Sequence, residues 1–451
     1  MRRPVALSAV SMTTAGIIAV AVGVLFGFVT NQPSPGRAAA LSSIAPASSS
    51  EPSGSPGEGS PYAPSPHPSV TPSQSFVSPS STSTPAPTPT PLTAEQRDQL
   101  LQASLDAFRA DEAIPGISAT VAFPDGTSWT GVGGLADVAR KTRVTTGTSF
   151  AVASVSKTFL SALILELAHE HRLRLDDRIN RYVPDLALDP RITIRQLLDH
   201  TSGLGDFFLN PKIDALLLGD RSAIWTSARS LTFIGKRYFA PGKGWHYSNT
   251  NYLVLGILAE RVGRASLAHQ YRVRFLEPVG LDHTYYQVVE KPRARLAIGY
   301  RFEGPGKARR PISLADGTRV MPFRSVVSAA GGAGSMAASS ADLARWARAL
   351  YDGEVLDPAS AAAIIQDVMA TAALKPAIPY GLGSQAIKID GLATLGHSGR
   401  LLGSRAVMRY FTASGVSIAI VTNQSRSDPA PLLAQLALVA VPGATVPPLV
   451  P

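Results

Sequence analysis

The stretch FAVASVSKTFLSALILELAHE, residues 150–170, constrains the fold more than any other part of the chain. Read as a helix it is apolar on nearly every side, and such a helix belongs in the middle of a core. The chain must therefore build layers around it. The same stretch carries Ser154 at its start and Lys157 one turn later. Residues three apart share a helix face, so the lysine amine stands above the serine hydroxyl. A lysine in a dry core loses proton affinity through desolvation, and it can then take the serine proton as a base. At a helix start the Ser154 N–H has no intrahelical partner, so it can face a developing oxyanion. By itself an S-x-x-K match recurs about once by chance in a chain like this. A surface lysine beside a capping serine is the competing reading.

Composition limits where the core can lie. Residues 31–92, from NQPSPG to PAPTPTPL, are dominated by Pro, Ser, Thr, Ala and Gly, with hardly a large apolar side chain. Such a segment cannot offset its ordering entropy, and a disordered, partly polyproline-like stalk is expected. Ahead of it, Arg2 and Arg3 precede an uncharged run from Val5 to Val29. A spanning helix needs about 20 residues and a signal core about 7 to 15. The expected order is a transmembrane anchor or signal sequence at 1–30, the stalk at 31–92 and one globular domain at 93–445. With the arginines inside, the domain faces outward from the cell membrane; cleavage near RAAALSS would secrete it instead. The chain has no cysteine, so neither disulfides nor a lipid-modified cysteine contribute. The outer domain must stand on its core alone, for which about 350 residues suffice. A formal net charge of +10 suits an anionic surface such as peptidoglycan. No basic run with interleaved aromatics points to nucleic acid.

Along the outer domain, Thr93 followed by Gln96 makes a capping-box pattern, and Leu101, Leu105 and Phe108 repeat along one helix face. ISATVAF and TSWTGVG flank the turn sequence PDG and predict a hairpin. SRAVMRYF and GVSIAIVTN predict a second strand pair around TASG, with a short helix near Leu432 to Val439 after it. The middle, roughly Ser154 to Arg348, reads as helical or irregular. The expected class is α/β of the α+β type. Strands from both chain ends form one antiparallel sheet, helices flank it, and a helical subdomain is inserted.

Two further motifs join Ser154 and Lys157. In GWHYSNTNY, Tyr247 and Asn249 are two apart and in an extended stretch project to one side. In LGHSGRLLGS, His397 and Gly399 also share a face, and a glycine there lets a substrate backbone approach the strand. SVSK, YSN and HSG, in that order, resemble the three active-site motifs of the serine β-lactamase and penicillin-binding superfamily, with YSN and HSG as variants of the SDN and KTG triads. TIRQLLDHTSGL, APGKGWHYSNTNYLVLGILAERV and AAGGAGSMAASSADLARWARAL are similar to the connecting segments of one branch. That branch holds class C β-lactamases, D-alanyl-D-alanine carboxypeptidases and related esterases, and the resemblance runs from about Leu100 to Gln424.

The resemblance implies Ser154 as nucleophile, Lys157 and Tyr247 as proton-transfer partners, and Asn249 as the group that orients the substrate amide. His397 stands where many relatives have lysine, Ser398 where they have a substrate-contacting hydroxyl, and Gly399 ends that triad. The N–H groups of Ser154 and Arg400 would form the oxyanion hole. An imidazole titrating near its ordinary value of about 6.5 carries charge only on the acid side of neutrality, so carboxylate recognition through His397 should weaken as pH rises. HEH at His169–His171 lacks the spacing of a zinc pair, GGAGS at Gly331 does not match a phosphate loop, and His200 reads as a turn residue. No metal and no cofactor are expected.

The expected activity is an extracytoplasmic serine hydrolase that forms an acyl-enzyme at Ser154 and cleaves an amide or ester. D-alanyl-D-alanine carboxypeptidase-like or esterase-like action comes first and β-lactamase action second. A non-hydrolytic penicillin- or peptidoglycan-binding sensor is the reading from another class. The expected partners are a small-molecule or peptide acyl donor, the membrane through the N-terminal helix, and peptidoglycan; no oligomeric state follows.

Overall fold

The computed structural model describes residues 92–304, 310–374 and 379–442. The expected anchor and stalk lie outside these residues. Among the described residues no helix is long and apolar enough to cross a membrane.

Helix α1 (Ala94–Asp111) opens on the expected capping box. Thr93 Oγ1 accepts from Gln96 N at 3.2 Å, and Thr93 N donates to Gln96 Oε1 at 3.0 Å. These two bonds satisfy first-turn groups that a helix leaves unpaired. Strands β1 (Gly116–Ala122) and β2 (Ser128–Asp137) form the predicted hairpin. Asp125 Oδ1 accepts from Thr127 N and Oγ1 at 2.9 and 2.7 Å, which closes the PDG turn.

Short strand β3 (Thr142–Arg143) continues from β2. The sheet is completed from the other chain end by β4 (Tyr380–Gly381), β5 (Ser384–Ile389), β6 (Leu392–Leu401), β7 (Ser404–Phe411) and β8 (Ser417–Thr422). Its order is β3-β2-β1-β8-β7-β6-β5-β4, antiparallel throughout. The join between the two chain ends is β1 against β8, with Ala119 opposite Ile420.

Alternation along the strands divides two cores. Val407, Phe411, Ile418 and Ile420 pack with Leu101, Leu105 and Phe108 of α1 and with Leu432, Leu433 and Leu436 from the C-terminal helix Ala430–Ala440. Ala406, Met408, Ala419 and Val421 face the larger core. That core holds α2 (Ser156–His169), buried at every position from Ser156 to Leu165 and at Leu167, as an all-round apolar helix must be. It also holds α3 (Asn249–Gly263) and α4 (Ser340–Tyr351), which lies on β1, β7 and β8. The segment between β3 and α4 supplies helices, loops and two small sheets, and it contains the predicted helical insert.

Candidate active site

Ser154 sits in a 3-10 turn, Ala153–Val155, that runs directly into α2. Ala153 has a φ of +48°. A left-handed conformation at a non-glycine residue costs about 1–3 kcal/mol and persists only where its surroundings fix it. Here Val152 N donates to Met336 O at 3.1 Å, Ser156 Oγ donates to Ala153 O at 2.6 Å, and Met336 N donates to Ser156 Oγ at 3.0 Å. The turn is thus pinned on both sides to the segment around Met336.

Lys157 is fully buried. Its Nζ lies 3.0 Å from Ser154 Oγ and donates to Asn249 Oδ1 at 2.9 Å and to the Ala333 carbonyl at 2.8 Å. Burial pulls the amine from 10.5 down to about 7, against the Asp206 carboxylate, which pulls upward. The Tyr247 ring lies 4.9 Å from Nζ. Burial holds the Tyr247 phenol well above 10, opposed by a hydrogen bond with Ser154, so the phenol keeps its proton at neutral pH.

The expectation of an extended Tyr247–Asn249 stretch is corrected. Ser248 is extended, but it is the N-cap of α3, and Asn249 is the first helical residue. A helix start, with the tyrosine just ahead of it, brings the two groups to Lys157. His200 has a φ of +67° and fixes this corner. Its Nδ1 accepts from Ser248 N at 3.2 Å, and its ring lies 4.3 Å from that of Tyr247.

On the opposite wall, β6 carries His397, Ser398, Gly399 and Arg400. Gly399 is required by proximity. A Cβ there would stand 2.1 Å from Val152 O and 3.1 Å from Ser154 N, so only glycine lets β6 approach the Ser154 turn this closely. Ser398 N donates to Gln385 Oε1 at 3.1 Å, away from β7. Arg400, two residues on, directs its N–H the same way, beyond the last β5–β6 pair at Gln385 and Gly396. The Arg400 N–H thus follows directly on Gly399, whose Cβ position lies 3.1 Å from Ser154 N.

The charge expected of His397 is also corrected. The ring is 1% exposed, with Nδ1 2.6 Å from Ser398 O and Nε2 3.1 Å from the Tyr380 hydroxyl. Burial, joined by the Lys157 charge, drives its pKa well below 6.5, so the imidazole is neutral at physiological pH. The cation beside Ser398 is instead Arg409, whose Nη2 donates to Gln385 Oε1 at 2.7 Å. Burial lowers Arg409 only to about 10, which leaves it charged.

Sequence reasoning missed Asp206, Gln385, Arg409 and the Ala333 carbonyl. Asp206 ends HTSGLGD, and its signal was the one acid of that segment, set directly ahead of the apolar FFL. Ala333 belongs to GGAGS, whose glycines pack tightly, a Cβ on Gly332 standing 2.5 Å from Leu160 Cδ2. A carbonyl that faces an amine leaves no mark in sequence.

The sequence model of the Beta-lactamase family matches residues 101–441. Penicillin-binding protein 4 of Amycolatopsis lactamdurans is 29% identical over 344 residues, covering 71% of this chain and 84% of that protein. Penicillin-binding protein 4* of Bacillus subtilis is 28% identical over 234 residues, half of each chain. Among solved structures, a D-stereospecific amidohydrolase from Streptomyces sp. superposes with a TM-score of 0.62 at 25% identity, over 77% of this chain and 98% of that one. D-amino acid amidase from Ochrobactrum anthropi SV3, complexed with D-phenylalanine, gives a TM-score of 0.65 at 22% identity over 76% and 98%.

Proposed function

The chain belongs to the Beta-lactamase family of serine hydrolases, and from that premise we propose that it cleaves the amide bond that follows a D-amino acid, through an acyl-enzyme at Ser154. The observation that carries this reading is the 3.0 Å approach of a fully buried amine, with a pKa near 7, to the Ser154 hydroxyl. A base poised near the working pH combines proton affinity with availability.

In this mechanism Lys157 takes the Ser154 proton as Oγ attacks the acyl carbon. The N–H groups of Ser154 and Arg400 receive the negative oxygen of the tetrahedral intermediate. Tyr247, still protonated, passes its proton to the departing amine and regains one from Lys157. Water then attacks the ester carbonyl, and its proton returns through the same groups to Ser154 Oγ. Asn249 and β6 hold the substrate between them.

The D-configuration is supported by what the two structural neighbours are named for, D-stereospecific amide hydrolysis. D-alanyl peptides and D-amino acid amides are the substrate class proposed, with penicillins as slow acylators. Location outside the membrane remains part of this proposal and is supported by Arg2 and Arg3 ahead of the Val5–Val29 run. The test is turnover by the purified full chain of D-alaninamide, a D-alanyl-D-alanine peptide, their L-counterparts, a p-nitrophenyl ester and a penicillin. D-selective amide release supports the reading. Faster turnover of penicillin than of any amide would make the chain a β-lactamase, and acylation without release would make it a sensor.

A further inference from the structure

A neutral primary amine has two N–H donors and one lone pair, and three partners surround Lys157 Nζ. Ala333 O is a carbonyl and can only accept. Ser154 Oγ can donate or accept. The third, the Asn249 carboxamide, presents an acceptor or a donor according to which way it is turned.

That choice is made by Asp206, a buried carboxylate in the loop before the 3-10 turn Phe207–Leu209. Its Oδ2 accepts from Asn249 Nδ2 at 2.8 Å and from Asn249 N at 3.2 Å, and its Oδ1 accepts from Phe208 N at 3.0 Å. Burial raises the Asp206 carboxyl above its ordinary value, and the three N–H donors, with the Lys157 charge, oppose that rise and favour the ionised, acceptor-only form. With Nδ2 committed to Asp206, Oδ1 must face Lys157. The two amine hydrogens are then taken by Asn249 Oδ1 and Ala333 O, and the lone pair is left to Ser154.

We propose that Asp206 is a positioning residue for acylation: by fixing the Asn249 carboxamide it aims the Lys157 lone pair at the Ser154 hydroxyl proton. A flipped carboxamide would point N–H at the amine and draw the lone pair away from Ser154. The proposal rests on reading Lys157 as the base.

The other titratable groups around the amine do not supply this control. Tyr247 and Tyr252 present ring faces at 4.9 and 5.4 Å, and burial raises both phenols, so they stay neutral. His200 and His397 are buried and held neutral by desolvation. Among these groups Asp206 alone is anionic near Lys157, and it raises the affinity of the amine for its proton.

The test compares rates of Ser154 acylation by penicillin across pH. In Asp206→Asn the carboxamide of residue 206 can turn its own N–H toward Asn249, which favours the flipped state. Acylation should fall by about a hundredfold or more, and the rising limb should move to lower pH because the amine has lost its anionic neighbour. A general loosening of the loop would lower the rate without moving the limb. The exchanged pair Asp206→Asn with Asn249→Asp again sets an acceptor against the amine, now a charged one. It should recover much of the lost rate, with the limb above that of the parent. A folded Asp206→Asn with the parent rate and limb overturns the proposal, as does an exchanged pair that recovers nothing while folded. Neutron diffraction from parent crystals at a pH above the limb needs no variant. Asn249 deuterons directed at Asp206, with the Ser154 deuteron between Oγ and Nζ, are expected; amide deuterons directed at Lys157 overturn it. A parent chain that forms no Ser154 adduct would defeat the hydrolase reading, and the neutron result would still decide the role of Asp206.

Discussion

Among single residues, Lys157 is one that the fold holds at a cost. The fall from 10.5 to about 7 corresponds to roughly 5 kcal/mol against the charged amine. The unfolded chain binds more protons between those values, so the penalty is fully present below about pH 7 and fades toward 10.5. Lys157→Met should therefore abolish acylation and raise thermal stability at neutral pH. The gain is reduced by about 1–3 kcal/mol for each of Asn249 Oδ1 and Ala333 O, which lose their donor, and it should vanish before about pH 10.5. Melting curves of parent and variant across pH check this; a difference between variant and parent that does not fall from pH 7 to pH 10.5 contradicts it. The same shift predicts that acylation by a neutral ester rises with pH through about 7, as Lys157 becomes a free base. A stopped-flow pH profile flat from pH 5 to 9 would remove Lys157 from that role.

At the scale of the element, the site is the meeting of three starts and edges: the turn into α2, the N-terminus of α3 and the end of β6. Gly399→Ala tests that convergence. Its Cβ would stand 2.1 Å from Val152 O, forcing β6 away from Ser154. Acylation should drop by about 10²-fold or more, on the scale of a lost oxyanion donor, in a chain that still melts cooperatively. Parent-like acylation would show that the strand does not border the oxyanion. β6 and its neighbour β7 carry the two groups proposed to meet an anionic substrate, His397 and Arg409. His397 is neutral and Arg409 stays charged to about pH 10, so penicillin and a neutral ester should share one pH profile between pH 6 and 9. A separate falling limb for penicillin near pH 6.5 would restore the charge to His397. Much of this level was legible in sequence. The capping box at Thr93, the two hairpins, the apolar period of α1 and the all-round apolar character of α2 are local patterns, and local patterns survive in one dimension. The Asp206–Asn249 bond joins residues 43 positions apart, and the depth of His397 is set by Tyr380 and the strands around it. Burial and amide orientation are properties of the packed molecule, and motif spacing does not encode them.

At the scale of the whole molecule, both chain ends enter one sheet through the β1–β8 pair, so the catalytic unit closes on itself. That closure is made by described residues beyond Leu92, and we propose that a chain starting at Leu92 melts at the parent temperature and acylates at the parent rate. Loss of either would move the domain boundary. The acyl-enzyme proposed at Ser154 can be trapped by quenching the purified full chain during turnover of a D-alanyl ester or penicillin and read by mass spectrometry with peptide mapping. One added acyl group is expected on the peptide that contains Ser154, absent in Ser154→Ala. An adduct on any other serine, or turnover that persists in Ser154→Ala, would contradict it.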